Sequence, residues 1–235
     1  MKKFIISLLA MSILSMLSIA NAKSIRIGTE GAYPPWNNLN AAGELEGAEI
    51  DFGNEACQRM GADCEWVTQD WDGIIPALLN GKYDIIIAGM SITEERKQKV
   101  NFTNGYMNDG ARFWVLKDSG LANLSLGGVT KVNMNNAGGK EKAAVGQVIA
   151  AFEGKNVCVQ SSTTHANFAT QYMSTGSNVK LYQTVDDHNI DLMAGRCDAV
   201  LSDVASAVDF MATDQGSNAA FTGPTFSGGP WGDGV

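Results

Sequence analysis

The sequence has few of the residues from which catalytic and metal sites are most often built. It contains two histidines, His165 and His188, and neither has a partner at metal-ligand spacing, although Asp186 and Asp187 adjoin His188 at a predicted helix start. We predict that both histidines lie on the surface, that no metal is bound and that no cofactor is needed. The sequence also lacks G-x-S-x-G, G-x-x-x-x-G-K and dinucleotide-binding glycine motifs. These absences weaken an enzymatic interpretation without excluding it.

Basic side chains are also scarce. The chain has 17 lysine and arginine residues against 25 aspartate and glutamate residues, which gives a formal net charge of −8. Nucleic acids and anionic membranes are bound through basic surfaces, so this balance argues against both as partners. An acidic chain is compatible with a cationic ligand, although a solvated acidic surface is the commoner meaning of such a charge.

The one long apolar run of the sequence lies at its N-terminus. Two lysines precede this run, residues 4–20, and small residues follow it up to Ala22. That order is typical of a secretory signal peptide, here residues 1–22, cleaved near Ala22. An uncleaved membrane anchor is the alternative, but the serines within the run and the A-x-A site favour export. No cysteine precedes Cys57 to take a lipid, so we expect a soluble periplasmic protein.

The four cysteines of an exported chain are expected to form disulfides. Cys57 and Cys64 enclose a short turn in which Gly61 has the position of a helix end, and we favour a bridge between them. Cys158 and Cys197 both lie near the start of predicted strands, so whether they pair depends on those strands being neighbours. From the sequence, all three connectivities remain open.

Strands and helices alternate in both halves of the chain, which predicts two α/β lobes. Residues 83–88 are almost entirely apolar, as expected of a parallel strand that is buried on both faces. The other strands predicted within the lobes are residues 24–29, 64–68, 156–160, 179–182 and 197–202, and the predicted helices are residues 53–60, 72–80, 165–173 and 185–194.

A strand predicted at residues 112–116 crosses from one lobe to the other. We accordingly assign residues 23–112 and 224–235 to lobe 1 and residues 113–223 to lobe 2. The stretch 119–139 is rich in glycine, asparagine and serine, and we predict that it is a mobile excursion on the surface.

Polar side chains follow several predicted strands at their carboxyl ends, where open α/β sheets bind ligands. Glu30, Ser91 and Asp203 each follow one strand, and residues 161–163 follow another. Arg96 lies one turn inside a helix that begins near Ser91, and arginine is suited to hold a carboxylate with two parallel hydrogen bonds.

A second helix begins at Ser162, Thr163 and Thr164, and the N–H groups at a helix start favour an anion. Plain helix capping is the commoner interpretation of any single instance of this kind.

Three stretches resemble, in order, the motifs of the polar amino-acid-binding family of periplasmic proteins that serve ABC importers. They are IGTEGAYPPW at residues 27–36, WDGIIP at residues 71–76 and SITEER at residues 91–96. The resemblance covers nearly all of the chain after the signal peptide. The most similar subgroup is that of the lysine/arginine/ornithine, histidine and opine binders, whose paired cysteines also look like Cys57 and Cys64.

The resemblance implies an α/β, two-lobed periplasmic-binding-protein fold of type II with a ligand cleft between the lobes. It implies that the protein is the solute-binding component of an ABC importer and closes around a cationic L-amino acid: lysine, arginine or ornithine, with histidine as a further candidate. The expected partners are this ligand and the membrane subunits of the importer, and we expect a monomer.

The resemblance also implies roles for the strand-end residues. Arg96 would hold the ligand carboxylate with help from Thr163, and Asp203 would hold the α-ammonium, with Ser91 and the backbone of Gly89 nearby.

The rest of the implied site lies along the ligand's side chain. Tyr33 and Trp71 would sandwich the aliphatic stem between aromatic faces, and Glu30 would meet the distal cationic group.

The sequence departs from the family pattern in two places. Ala88 and Gly89 stand where basic-amino-acid binders often have two serines, so one hydrogen bond to the α-ammonium is expected to be missing. Opine binders are similar there but tend to lack an aspartate at the position of Asp203, so this residue favours an ordinary amino acid over an opine. The family's closing segment after residues 226–235 is absent from the sequence, and we expect an unpaired edge on lobe 1.

Three alternative functions remain open at the level of sequence. One is an opine binder for octopine or nopaline, the second is an enzyme on the same scaffold, such as a dehydratase, and the third is the sensor domain of a receptor.

Overall fold

The computed structural model describes residues 24–229 except residue 125. The predicted signal peptide, residues 1–22, lies outside this part of the chain, as do residues 230–235. Among the helices in the described part, none combines the length and apolar character that crossing a bilayer requires.

The first lobe is built on a parallel sheet of three strands in the order β5–β1–β6. Parallel neighbours need crossover connections, and helices supply them here. Ile27 in the central strand is fully buried, and Gly28 beside it leaves no room for a Cβ against the ring of Tyr83. The strands are β1 (Ser24–Thr29), β5 (Asp63–Thr68) and β6 (Ile85–Ile86), and the crossover helices are α1 (Ala48–Met60) and α2 (Ile74–Leu79).

Helix α1 buries one face and ends at Gly61. Ile50, Gly53 and Cys57 are buried at helical spacing, and Gly61 takes the left-handed conformation that glycine adopts without strain. The disulfide between Cys57 and Cys64 then ties the end of α1 to β5, as predicted. The helix begins five residues earlier than the predicted 53–60.

A small antiparallel sheet extends the first lobe after β1. Its strands are β2 (Ala32–Tyr33), β3 (Asn37–Leu39) and β4 (Leu45–Glu46). Residues 71–73 form a 3₁₀ turn before α2, so the predicted helix at residues 72–80 is in fact a 3₁₀ turn followed by a short α-helix. Farther along, α3 (Glu94–Lys97) is a single helical turn capped by Thr93.

The second lobe contains a mixed sheet of six strands in the order β10–β9–β11–β7–β12–β8. The strands β9, β10 and β11 run parallel to one another, whereas β7 runs antiparallel to both of its neighbours. The strands are β7 (Ala111–Leu116), β8 (Lys131–Asn133), β9 (Asn156–Gln160), β10 (Asn178–Tyr182), β11 (Ala199–Asp203) and β12 (Ala219–Ser227). The helices are α4 (Gly139–Ala151), α5 (Thr164–Met173), α6 (Val185–Met193) and α7 (Val204–Ala212).

Helices cover both faces of this sheet, and β7 separates two hydrophobic clusters. Phe113 faces a cluster that includes Phe152 and Phe168, whereas Trp114 faces another that includes Leu192. Successive side chains of a strand point to opposite faces, so adjacent residues of β7 are buried in different clusters.

The chain does not leave the second sheet at residue 224, where lobe 1 was predicted to resume. Strand β12 continues past Gly223 with a register shift, and Thr225 and Phe226 pair with β8. Phe226 is fully buried against Phe113 and Phe168, so this packing holds residues 224–227 in the second sheet.

The stretch 119–139 is partly built into lobe 2, contrary to the prediction of a mobile surface excursion. Val132 in β8 is 1% exposed, and Leu121 also belongs to the core of this lobe. The Thr222 hydroxyl donates a hydrogen bond to the Leu121 carbonyl, at a distance of 2.5 Å. The buried side chains of Leu121 and Val132 therefore hold this segment against lobe 2, although its composition suggested a surface loop.

The second disulfide joins Cys158 and Cys197. Cys158 lies in β9, and Cys197 lies just before β11, which is its parallel neighbour. The condition set by the sequence is therefore met, and the described cysteines are all paired.

Candidate ligand-binding site

Polar side chains from both lobes meet where the carboxyl ends of their strands face each other. Glu30 follows β1, Gly89 follows β6, Gln160 ends β9 and Asp203 ends β11. The residues enclose a cavity of about 350 Å³, including the part open to solvent. Every predicted site residue except Ser162 lines it: Glu30, Tyr33, Trp71, Gly89, Ser91, Arg96, Thr163 and Asp203.

Ser162 contacts residues of the site through its backbone. Its φ of 56° places it in the left-handed region. Its carbonyl oxygen accepts hydrogen bonds from Trp71 Nε1 at 3.1 Å and from Arg96 Nη2 at 3.3 Å. The residue thus links lobe 2 to two pocket residues of lobe 1.

Asp203, at the end of β11 in lobe 2, lines the cavity and contacts Tyr33 of lobe 1. Its Oδ2 accepts a hydrogen bond from the Tyr33 hydroxyl at 2.5 Å, and its Oδ1 lies 3.4 Å from His165 Nε2. Burial by itself would raise the pKa of this carboxyl, but His165, Tyr33 and Arg96 together hold the pKa below its usual value. The carboxylate therefore stays ionised at neutral pH.

Arg96 places a guanidinium on the opposite wall. Its Nη1 donates to the Ser91 carbonyl at 2.9 Å, and the guanidinium carbon lies 5.3 Å from the centre of the Trp71 ring. Burial lowers the pKa of Arg96 to about 10, so it remains protonated at neutral pH. A guanidinium has five N–H donors, and the bonds to Ser91 and Ser162 use two of them. Donors thus remain for an anion in the cavity.

Glu30 lies at another point of the cavity wall and is 9% exposed. Its Oε1 accepts a hydrogen bond from Gln160 Nε2 at 2.6 Å. Burial raises the pKa of Glu30 to about 7, and the nearby carboxylates Asp70, Asp72 and Asp186 also raise it. In the described part of the chain, Glu30 forms no ion pair with a basic side chain.

The family model for bacterial extracellular solute-binding proteins, family 3, matches residues 25–215. The chain belongs to this family. The match confirms the resemblance seen in the sequence.

Similar proteins are found among curated sequences and solved structures. The octopine-binding periplasmic protein of Rhizobium meliloti is 39% identical over 219 residues, which cover 93% of this chain and 74% of that protein. The L-arginine-binding protein of Pseudomonas aeruginosa is 37% identical over 239 residues, covering 100% of this chain and 83% of that protein. An ancestral arginine-binding protein bound to arginine has a TM-score of 0.73 and 31% identity, covering 89% and 82% of the two chains. The two-lobed α/β fold predicted from the sequence is therefore confirmed.

This solute-binding protein has cavity residues that the sequence analysis did not select. His165 was predicted to lie on the surface, yet it is 5% exposed and lines the cavity beside Asp203. It shares a buried helix face with Phe168 and Ala169, at spacings of three and four residues, and this periodicity was the available signal. Gln160 and Ser202 were missed as well, whereas Ala88 and Thr164, which also line the cavity, were noted in the sequence but not selected as site residues.

His188 was also predicted to lie on the surface but is fully buried in lobe 2 of this family member. It packs edge-on against Trp114 and Tyr182, and Val185 and Leu192 lie on the same buried face of α6. Burial lowers the pKa of His188 to about 3, so the ring is neutral at neutral pH. It belongs to the core, away from the cavity.

The two lobes of this solute-binding protein are in contact across the cleft. Outside the cavity, Ser161 Oγ donates to the Asp72 carboxylate at 2.8 Å, and Gln183 Nε2 donates to Asp70 Oδ2 at 3.0 Å. Together with the bond from Tyr33 to Asp203, these contacts hold the cleft closed over the cavity.

Proposed function

We propose that this protein is the periplasmic solute-binding component of an ABC importer and that it binds a cationic L-amino acid. Lysine, arginine and ornithine are the proposed ligands. The observation that carries the proposal is the convergence of Arg96, Asp203 and Glu30 in one cavity between two lobes. One guanidinium and two carboxylates match the one carboxylate and two cationic groups of such a ligand, so no charge is left unpaired after closure.

The ligand carboxylate is assigned to Arg96 and to the start of helix α5. The Thr163 hydroxyl already donates to the Gln160 carbonyl at 2.7 Å and accepts from the Ala166 N–H at 3.1 Å. We therefore assign the ligand contact of Thr163 to its backbone N–H, which points from a helix start that favours anions.

The α-ammonium is assigned to Asp203, with Ser91 and Gly89 beside it. The Gly89 N–H donates to Glu49 Oε1 at 2.7 Å and is already engaged. The carbonyl oxygen of Gly89 is thus the group of this residue that is suited to accept from an ammonium.

The ligand side chain is assigned to Tyr33, Trp71 and Glu30. The two rings offer apolar faces to the methylene stem, and Glu30 offers a carboxylate to the distal cation. The carboxylates of Asp70 and Asp72 add to the negative potential there, which favours a cationic end group over a neutral one.

Binding an opine is the second candidate, because one of the similar proteins is an octopine-binding protein. Asp203 favours the ordinary amino acid, since the extra carboxylate on the α-nitrogen of an opine would lie beside an ionised carboxylate. We further propose that the protein works as a monomer, delivers its ligand to the membrane subunits of the importer and does not transform it.

Calorimetric titration with lysine, arginine, ornithine, histidine, glutamine and octopine tests this function. We expect lysine, arginine or ornithine to bind at least tenfold more tightly than glutamine, because glutamine leaves Glu30 without a cationic partner. Octopine is expected to bind more weakly than arginine. If octopine binds more tightly than any basic amino acid, the second candidate replaces the first. Chemical change of the recovered ligand would contradict a pure binding role.

A further inference from the structure

Glu49 is a buried carboxylate outside the cavity that collects hydrogen bonds from three parts of lobe 1. It lies in the first turn of α1 and is 2% exposed. Its Oε2 accepts from Asn37 Nδ2 at 2.7 Å, and its Oε1 accepts from the Gly89 N–H at 2.7 Å and from the Tyr106 hydroxyl. Three donors directed at one carboxylate stabilise a charge that burial would otherwise disfavour.

The bond to Asn37 fixes the loop after β1. Asn37 is fully buried, and its Oδ1 accepts from the Gly31 N–H at 2.7 Å. Asn37 is also the ladder partner of Tyr33 between β2 and β3. Glu49 therefore helps to hold Tyr33, whereas the side chain of Glu30 in the same loop is held by Gln160.

The bond to Gly89 reaches Tyr33 from the other side. Gly89 has a φ of 56°, and a Cβ at this position would lie 2.8 Å from Tyr33 Cε1, so the ring packs directly on the glycine backbone. The Tyr33 hydroxyl in turn donates to Asp203 of the second lobe. Glu49 therefore supports Tyr33 in two ways: through Asn37, which pairs with Tyr33, and through Gly89, against which the Tyr33 ring packs. The hydroxyl of this ring contacts Asp203, the proposed acceptor for the α-ammonium.

The bond from Tyr106 ties the same carboxylate to the segment that leads from lobe 1 to β7. The Tyr106 ring stacks on Phe52 of α1, with centroids 5.2 Å apart and planes 17° apart. The carboxylate of Glu49 therefore joins the two pocket loops to the connection between the lobes.

We propose that Glu49 is a positioning residue for the α-ammonium end of the ligand. It touches no ligand atom and acts by fixing Gly89 and Tyr33, and through Tyr33 the orientation of Asp203. This assignment rests on the proposed function, because Asp203 is the α-ammonium acceptor only if the ligand is an amino acid.

The test compares Glu49→Gln with Glu55→Gln, which removes one negative charge from an exposed position of the same helix. In Glu49→Gln an amide N–H₂ group replaces one of the two acceptor oxygens. This group faces another donor, either Asn37 Nδ2 or the Gly89 N–H, so one of these two hydrogen bonds is lost. Each protein is titrated with arginine and with the arginine analogue that lacks the α-amino group. We expect Glu49→Gln to weaken arginine binding about tenfold or more and the analogue less than threefold, with Glu55→Gln unchanged for both.

The Gly89 amide proton supplies an independent signature. Its NMR resonance in the ligand-free protein is expected to move upfield in Glu49→Gln, because the hydrogen bond to an ionised acceptor is lost. Glu55→Gln should leave this resonance in place.

The outcomes separate this assignment from the function on which it rests. If the wild-type protein binds arginine and Glu49→Gln weakens both ligands equally or neither, the role of Glu49 is overturned while the proposed function stands. If the wild-type protein binds no basic amino acid, the proposed function fails and the assignment fails with it.

If Glu49→Gln does not fold, Tyr106→Phe provides the test. It removes a single donor from a residue that is 41% exposed and leaves the carboxylate of Glu49 in place. We expect Tyr106→Phe to lower the affinity for arginine by less than Glu49→Gln does. The affinity for the analogue without the α-amino group should not change. An equal effect on both ligands, or none on either, overturns the assignment.

Discussion

We expect Glu30 to couple ligand binding to proton release, if it meets the distal cation as proposed. Its pKa in the ligand-free protein is raised to about 7, first by burial and then by the carboxylates of Asp70, Asp72 and Asp186. A cationic group placed beside Glu30 stabilises the ionised form and lowers this pKa again. Under the proposed function, a cationic ligand is therefore expected to bind best to the deprotonated carboxylate.

The affinity for arginine is therefore expected to fall as the pH is lowered through 7. Above pH 7 Glu30 is ionised before the ligand arrives, and the affinity for arginine is at its highest. Below pH 7 the proton must leave on binding, so the affinity falls by up to about tenfold per pH unit. Calorimetry at pH 6 in buffers of different ionisation enthalpy should detect close to one proton released per arginine.

Two controls isolate Glu30 in this measurement. Glu30→Gln should bind arginine more weakly and release almost no proton, whereas Glu44→Gln, in an exposed loop, should behave as the wild type does. Glutamine, which has no distal cation, should release little proton from the wild-type protein. Proton release that persists in Glu30→Gln would contradict the assignment.

At the scale of single residues, strand ends were a sufficient guide to much of the cavity wall. Glu30, Ser91 and Asp203 could be selected because the carboxyl ends of strands meet in this class of fold. Helical periodicity could have shown that His165 is buried but not that it lies in the cavity, because its contact with Asp203 joins residues 38 positions apart in the sequence. Gln160 ends a predicted strand but was not selected, because its contact with Glu30 joins residues 130 positions apart in the sequence. The ligand-binding roles of all these residues stay predictions until they are tested.

At the scale of elements, the two disulfides constrain loops of very different length. Cys57 and Cys64 are separated by 7 positions, whereas Cys158 and Cys197 are separated by 39. Closing the longer loop removes more conformational entropy from the unfolded chain, about 4 kcal/mol against about 2.5 kcal/mol for the shorter loop.

This difference predicts the relative cost of removing each disulfide. Replacing Cys158 and Cys197 by alanine should lower the free energy of unfolding by about 1 to 2 kcal/mol more than replacing Cys57 and Cys64. Cys57, Cys158 and Cys197 are buried and Cys64 is half-buried, so each double variant removes one bridge and two largely buried thiol sulfurs. Urea unfolding at one pH and temperature measures both. Equal losses would show that strain or residual structure outweighs loop entropy.

Helices and strands could be predicted from the sequence where the local pattern of apolar residues is strong. Where each strand begins and ends could not, because this depends on pairing with strands that are distant in the sequence. Within the predicted strand 83–88, only Ile85–Ile86 is regular strand paired with β1, and the backbone turns to left-handed φ at Gly89. Strand β8 was missed, because its glycine- and asparagine-rich surroundings suggest a loop and only its pairing with β12 makes it a strand. The end of β12 was assigned to the wrong sheet for a related reason, since the burial of Phe226 is a long-range contact.

At the scale of the whole molecule, two hydrogen bonds outside the cavity join the lobes. Ser161 donates to Asp72, and Gln183 donates to Asp70. Neither donor lines the cavity, so both bonds favour the closed form without contacting the ligand. In a protein that binds by closure, such bonds add to the affinity of every ligand by the same factor, because they change only the population of the closed form.

The double variant Ser161→Ala, Gln183→Ala tests this effect, because it removes both donors and leaves the carboxylates of Asp70 and Asp72 in place. We expect the affinities for arginine and lysine to fall by the same factor, roughly three- to tenfold, since each exposed hydrogen bond contributes about 0.5 kcal/mol or somewhat more. Titration measures the affinities, and small-angle scattering should show a larger radius of gyration for the ligand-free variant. Ser174→Ala, at an exposed position next to α5, is the control and should change neither quantity. A change in the ratio of the two affinities would mean that these residues act on the ligand itself and not on closure.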